Sequence, residues 1–221
     1  MATRQDARHV ELSVETEKRI AEMPTQEQRS TETKLAINDA TIRCLFEDGY
    51  AATTTGAVHQ RAGVSRGALT HHYSSKQEMM IAAVEHLSLV REREISEAAK
   101  VLPLNDERAH AVIELLWGTF KSDLFYAALE LWNAARTDSA LHEALYRAER
   151  RVGVRHRALA AEMFGEPISA HPDFDRALEM MFRQLRGAAV TRLLRRPPEA
   201  EDSVVDDLSG LFRTMVAVDI V

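Results

Sequence analysis

From Thr31 onward, apolar residues recur at intervals of three and four almost without a break. Ile37, Ala40, Thr41, Cys44 and Leu45 share one helical face. Gly49 stands where a left-handed residue would close that helix. The pattern then shortens, and 54–61 and 65–71 read as two brief helices separated by Ala62-Gly63-Val64. Ser75-Lys76-Gln77-Glu78 has the form of a capping box. It opens a long helix through Met79, Ala83, His86, Leu87 and Val90 to Lys100, and Pro103 stops the pattern. Further helices are predicted over 106–120, 123–136, 139–163, 174–195 and 202–219. The breakers between them are Gly165-Glu166-Pro167, Pro172 and Pro197-Pro198. No alternating strand pattern exceeds four residues, and no repeat with a period of about 20–50 residues is present. The predicted fold is all-α with nine helices.

Residues 1–30 stand apart. Val10, Val14 and Ile20 could support one short helix but no core, and five Lys/Arg face six acids. They read as a polar, mobile arm. The expected division is an arm over 1–30, a smaller helical unit over 31–78 and a larger helical unit over 79–221. Of the 221 residues 45% are hydrophobic and 28% charged, an ordinary globular composition with ample material for a core. The lone cysteine, Cys44, excludes an intrachain disulfide framework; a reducing compartment, the cytoplasm, is expected. No apolar run approaches the ~20 residues of a membrane span, so no membrane partner is expected. The N-terminus lacks the apolar stretch of a signal peptide.

Residues 53–76, TTTGAVHQRAGVSRGALTHHYSSK, change the picture. Two short helices meeting at a glycine turn form a helix-turn-helix pattern. Gly63 supplies the positive φ of the turn. Val58, Val64 and Leu69 are spaced to pack the helices together, and Ser65 falls at the N-cap of the second. Arg66, Ala68, Thr70 and His71 then lie on the outward side, where base edges are reached when such a helix enters the major groove. The net charge of −6 alone argues against a polyanion binder. Between Asp48 and Glu78, however, there is no acid, while Arg61, Arg66, Lys76, His59, His71 and His72 fall there. From Ala83 onward, 18 Lys/Arg face 23 Asp/Glu. Where the charge sits matters more than its sum.

The stretch from Lys34 to Met80 resembles the DNA-binding domain of the TetR family of bacterial transcriptional regulators. The matching residues are Gly49-Tyr50, Thr53 to Thr55, Ala62-Gly63-Val64-Ser65, Gly67, Leu69, His72-Tyr73 and Ser75-Lys76. Ala128-Leu129-Glu130-Leu131-Trp132 with Ala134 to Asp138 is similar to a phrase in the ligand-binding domain of some members. The resemblance implies a homodimer that binds a palindromic operator in double-stranded DNA, usually as a repressor, and leaves it when a small-molecule effector binds the larger domain. By position, Thr54 and Thr55 would contact phosphate, Arg66 and Ala68 would face bases, and His71 and His72 would lie near the backbone. Lys76 would contact phosphate at the start of the long helix. Ser65, Gly67 and Thr70 complete the candidate surface. Thr70 stands where the family often has Tyr, His59 where it usually has Ala, and Leu45 where Phe is common.

The remainder has two plausible tasks. One is dimerisation. Leu178, Leu185 and Ala189 lie on one predicted stripe and Leu208, Leu211, Phe212 and Met215 on another, suited to a four-helix interface between protomers. Burial of both stripes within one protomer is the alternative. The other is effector binding. Trp117, Phe120, Phe125, Tyr126, Leu129 and Trp132 concentrate aromatic and apolar surface, and Met163 and Met181 add adaptable surface. They suggest a mainly apolar pocket for a lipophilic or aromatic molecule; plain core packing is the competing reading. The chain lacks GxGxxG, GxxxxGK[ST] and HExxH, so no enzymatic activity and no cofactor are expected. His86, His110, His142 and His156 do not pair at i, i+4, so no metal site is expected. Two rivals stay open: a dimeric regulator without an effector, its interior filled, and an all-α enzyme or ligand carrier.

Overall fold

The computed structural model describes residues 25–105, 107–194 and 202–216. They form nine α-helices and one 3-10 turn, and no strand occurs among them. Helix α1 spans Gln26–Ala52, α2 Thr55–Ala62, α3 Arg66–His72 and α4 Lys76–Ala99. They are followed by α5 Arg108–Phe120, α6 Asp123–Ala135, α7 Ser139–Phe164, α8 Phe174–Arg192 and α9 Asp202–Met215. The first helix begins five residues ahead of Thr31. Thr25 and Gln28 form a reciprocal capping box, in which the Gln28 amide donates to Thr25 Oγ1 (3.1 Å) and the Thr25 amide to Gln28 Oε1 (2.7 Å). Residues 1–24 of the expected arm, Pro197-Pro198 and the predicted helix ends at 195 and 217–219 lie outside the described residues.

Gly49 ends the regular part of α1 with φ +78°, a conformation that carries little penalty only without a Cβ. The Thr53 amide and hydroxyl both donate back to its carbonyl, at 3.2 and 2.8 Å. Gly63 takes φ +67° between α2 and α3, as the turn requires.

Two apolar cores result. The lower one gathers Ile37, Leu45, Val58, Leu69 and Met79 from α1 to α4 with Leu131 and Leu141 from α6 and α7. Each such buried side chain contributes about 1.5–3 kcal/mol of transfer free energy. Cys44 lies in this core, and burial pushes its thiol pKa up, as expected of a packing residue. The upper core unites the far end of α4 with α5, α7, α8 and α9. Helix α4 runs unbroken from Lys76 through both, so residue 78 marks no break in packing.

The upper core claims most of the expected dimer stripes. Leu178, Leu185 and Ala189 on α8 and Leu208 and Phe212 on α9 are all buried within their own protomer. Phe212 stacks on Phe164 with ring centroids 4.5 Å apart. The periodicity correctly marked an apolar face, but that face meets the rest of its own chain. Of the seven candidate interface residues only Leu211 (43% exposed) and the half-buried Met215 stay accessible. No helix among the described residues is long and apolar enough to cross a membrane.

Candidate nucleic-acid interface and interior cavity

Helices α2 and α3 present the predicted motif. Thr54 caps α2, its Oγ1 accepting from the Ala57 amide (3.1 Å). Ser65 caps α3, accepting from the Ala68 amide (3.1 Å). Each hydroxyl keeps its proton for an external acceptor. Leu69 and Tyr73 turn inward, and the buried Tyr73 hydroxyl donates to Asn38 Oδ1 (2.6 Å). Arg66, Gly67, Thr70 and His71 are exposed, and Thr55, Ala68 and His72 half-buried. The exposed residues cover the outward side of α3. Thr70 is an exception in chemistry. Its hydroxyl shares its proton between the α3 carbonyls of Arg66 and Gly67 at 3.2 and 3.1 Å, which leaves its oxygen open to an external donor.

The acid-free window in the chain is not acid-free in space. Glu47 and Asp48, from the turn of α1 before Gly49, pair with Arg61 at 2.7 and 3.4 Å. Arg66 carries no such partner among the described residues. Burial first, then His71 and Lys34, lower the His72 pKa and disfavour its protonated form. Lys34, exposed on α1, is the cation that the reading of residues 53–76 missed. It lies far away in sequence, and its spacing from α3 is set by the fold.

Lys76 sits deeper than expected. Its Nζ donates to the carbonyl of Tyr50 (2.7 Å), lies 3.5 Å from that of Ala51, and rests over the Tyr50 ring 4.3 Å from its centroid. Burial lowers its pKa. These contacts use the ammonium to satisfy carbonyls at the end of α1, in competition with a phosphate. The Tyr50 amide donates in turn to Glu130 Oε2 on α6 (3.1 Å). One peptide segment thus joins the start of α4 to α6.

A cavity of about 390 Å³ lies among α4, α5, α6, α7 and α8. Phe120, Phe125 and Trp132 line it, as expected. Trp117, Met163 and Met181 do not; they are buried in the upper core. Tyr126 and Leu129 are off the cavity as well, because the lining face of α6 carries Phe125, Ala128 and Trp132. Tyr126 instead directs its hydroxyl at the Ala189 carbonyl (3.4 Å). The wall is mainly apolar, as expected, with charged groups set into it. Glu92, Glu149 and His156 line the cavity, on helical faces whose charge pattern resembles a solvated surface. Glu92 holds Arg155 Nε at 2.9 Å and lies 3.4 Å from His156 Nε2. Burial is the main cause both of the lowered His156 pKa and of the raised Glu149 pKa. The Trp132 indole N–H donates to Glu149 Oε1 (2.9 Å).

An exposed, N-capped second motif helix on an all-helical body with an internal cavity defines a helix-turn-helix DNA-binding protein. Residues 37–83 match the family described as bacterial regulatory proteins, tetR family. The chain is 32% identical over 198 residues to the HTH-type transcriptional regulator CymR of Pseudomonas putida, across 87% of this chain and 95% of that protein. The chain belongs to the TetR family and is a DNA-binding transcriptional regulator. Its fold is similar to that of a crystallised transcriptional regulator from Pseudomonas aeruginosa PAO1, with TM-score 0.67 and 21% identity over 91% of this chain and 96% of that one. It is also similar to FadR of Bacillus subtilis, solved in complex with stearoyl-CoA, with TM-score 0.60 and 16% identity over 82% and 97% of the two chains.

Proposed function

We propose that this regulator is a homodimeric repressor that holds a palindromic operator with two copies of α3 and releases it when a small molecule enters the cavity. Its place of action is the cytoplasm, with the chromosome. The observation that carries the effector reading is the cavity of about 390 Å³, within the size range of ligand sites. It is walled by α4 and α6, the two helices that also hold the base of the helix-turn-helix. A regulator without an effector would have a filled interior there. Release needs an effector that favours a conformation in which the two recognition helices no longer match successive major grooves. The proposed DNA surface comprises Thr54, Thr55, Ser65, Arg66, Gly67, Ala68, Thr70 and His71, with His72 beside them. The proposed dimer face lies on the outer sides of α8 and α9, at Val190 and Leu211.

The test is selection of fragments of the source genome bound by the purified protein, followed by titration in salt and with extracts of the same cells. A palindromic site, a steep salt slope and release by a low-molecular-weight fraction are expected. Equal affinity for all fragments would overturn the operator reading, and insensitivity to every fraction would overturn the effector reading.

A further inference from the structure

The charged groups around the cavity differ in how they are satisfied. Arg91, Arg157 and Arg183 line it, yet each pairs with an acid: Glu94 at 3.0 Å, Asp175 at 2.8 Å and Glu179 at 2.5 Å. The Glu92 side chain, only 13% exposed, is neutralised by Arg155. Glu149 has no ion-pair partner within 4 Å among the described residues. Its hydrogen bond comes from the neutral Trp132 indole, and the cation that acts on it, Arg186, is exposed and lies over the Trp132 ring, 4.9 Å from its centroid. The rings of Phe120, Phe125 and Phe182 line the same cavity as Trp132 and Glu149.

We propose that the effector is an organic cation: a molecule with a flat apolar body and a protonated amine or quaternary ammonium group, its charge held by Glu149 and its body by these rings. The proposal rests on the reading of the cavity as the effector site. Burial disfavours the charged form of Glu149, and an ammonium group at hydrogen-bond distance offsets that cost. Aromatic faces are electronegative and attract cations. An anion entering the same space would meet those faces and three carboxylates, Glu92, Glu149 and Glu179, while three of the four lining arginines already hold acids. The Trp132 N–H directs its positive edge at Glu149 and fixes the carboxylate in place, so the site is preorganised.

The test compares three probes of one shape on the full chain by titration calorimetry at neutral pH: 1-naphthylmethylammonium, the neutral 1-naphthalenemethanol and the anion 1-naphthoate. The ammonium is expected to bind at least about tenfold more tightly than the alcohol, and the carboxylate more weakly than either. Glu149→Gln retains an acceptor for Trp132 and is expected to abolish the preference while leaving the affinity for the alcohol unchanged. Should that variant fail to fold, Glu149→Asp is expected to keep a reduced preference, and the wild-type ranking still decides the sign of charge. A tighter naphthoate, no preference between ammonium and alcohol, or a preference that survives Glu149→Gln would overturn the cation assignment while leaving the cavity an effector site. Failure of all three probes to bind a protein that still holds its selected operator would overturn the effector reading itself, and this proposal with it.

Discussion

Arg66 opens the recognition helix and Lys76 follows it, and their surroundings differ. Arg66 is exposed at the first turn of α3 with no acid beside it among the described residues. Arg66→Ala is expected to leave thermal stability unchanged and to cost about 1–3 kcal/mol of discrimination at one operator position. Binding curves on the selected site and on random duplex check this; equal losses on both would remove its base-reading role. Lys76 is committed to the Tyr50 carbonyl and ring, so Lys76→Ala is expected to lower the melting temperature as well as DNA affinity. A loss of affinity with unchanged melting would restore a pure phosphate contact. The histidines add a pH dependence. The folded pKa of both His72 and His156 lies below the usual 6.5. As pH falls through 6.5 the unfolded chain therefore takes up protons first, and the fold loses stability until the folded pKa is passed. Glu149, with a raised pKa, acts in the opposite sense above 4.5. Melting temperatures followed downward from pH 7.5 are expected to fall less steeply in His156→Gln than in the wild type, and parallel curves would exclude its contribution.

Helix α6, like α4, joins both cores to the cavity. One face gives Phe125, Ala128 and Trp132 to the cavity, and another gives Ala127, Leu131 and Ala135 to the lower core. Glu130 reaches from it to the Tyr50 amide, and a Cβ at Gly49 would approach the same carboxylate to 3.3 Å. Glu130→Ala leaves a part-buried N–H without its acceptor, an expected loss of about 1–3 kcal/mol. Because Lys76 and Glu130 hold opposite ends of the Tyr50 residue, the double variant is expected to lose less than the sum of the two single losses. Additive losses in a double-mutant cycle by denaturant unfolding would show the two contacts to be independent. Elements were the most legible feature of the sequence. Gly49, Gly63, Ser65 and Ser75 are local signals, and all four close or open helices where predicted. The start of α1 was less legible because Thr25-x-x-Gln28 lies in a polar stretch without apolar support. The cavity wall was the least legible. Glu149 and His156 look like surface residues in the chain, and only the placement of α4 and α8 against α7 encloses them. Trp117 and Met163 misled for the reverse reason, since composition alone cannot separate a lining ring from a core ring.

At the scale of the whole molecule, α9 offers a direct test of assembly, because adjacent residues on it differ in burial. Phe212 is 2% exposed and stacks on Phe164, while Leu211 is 43% exposed. One residue along a helix turns the side chain by about 100°, so Leu211 cannot join the core that holds Phe212. Phe212→Ala is therefore expected to cost about 3–5 kcal/mol through an internal cavity, in monomer and dimer alike. Leu211→Glu adds a charge outside that core. It is expected to leave the helical circular dichroism and the unfolding of the protomer nearly unchanged while shifting the sedimentation equilibrium from dimer to monomer. Operator binding would then lose the second half-site, and affinity for the full palindrome should fall by about a hundredfold or more, toward that for an isolated half-site. A Leu211→Glu protein that sediments as the wild type and binds the palindrome equally well would move the interface off this face of α9. A second copy of α3 would then have to be brought to the DNA by another surface, since a palindrome read by one helix at a time gains nothing from its symmetry.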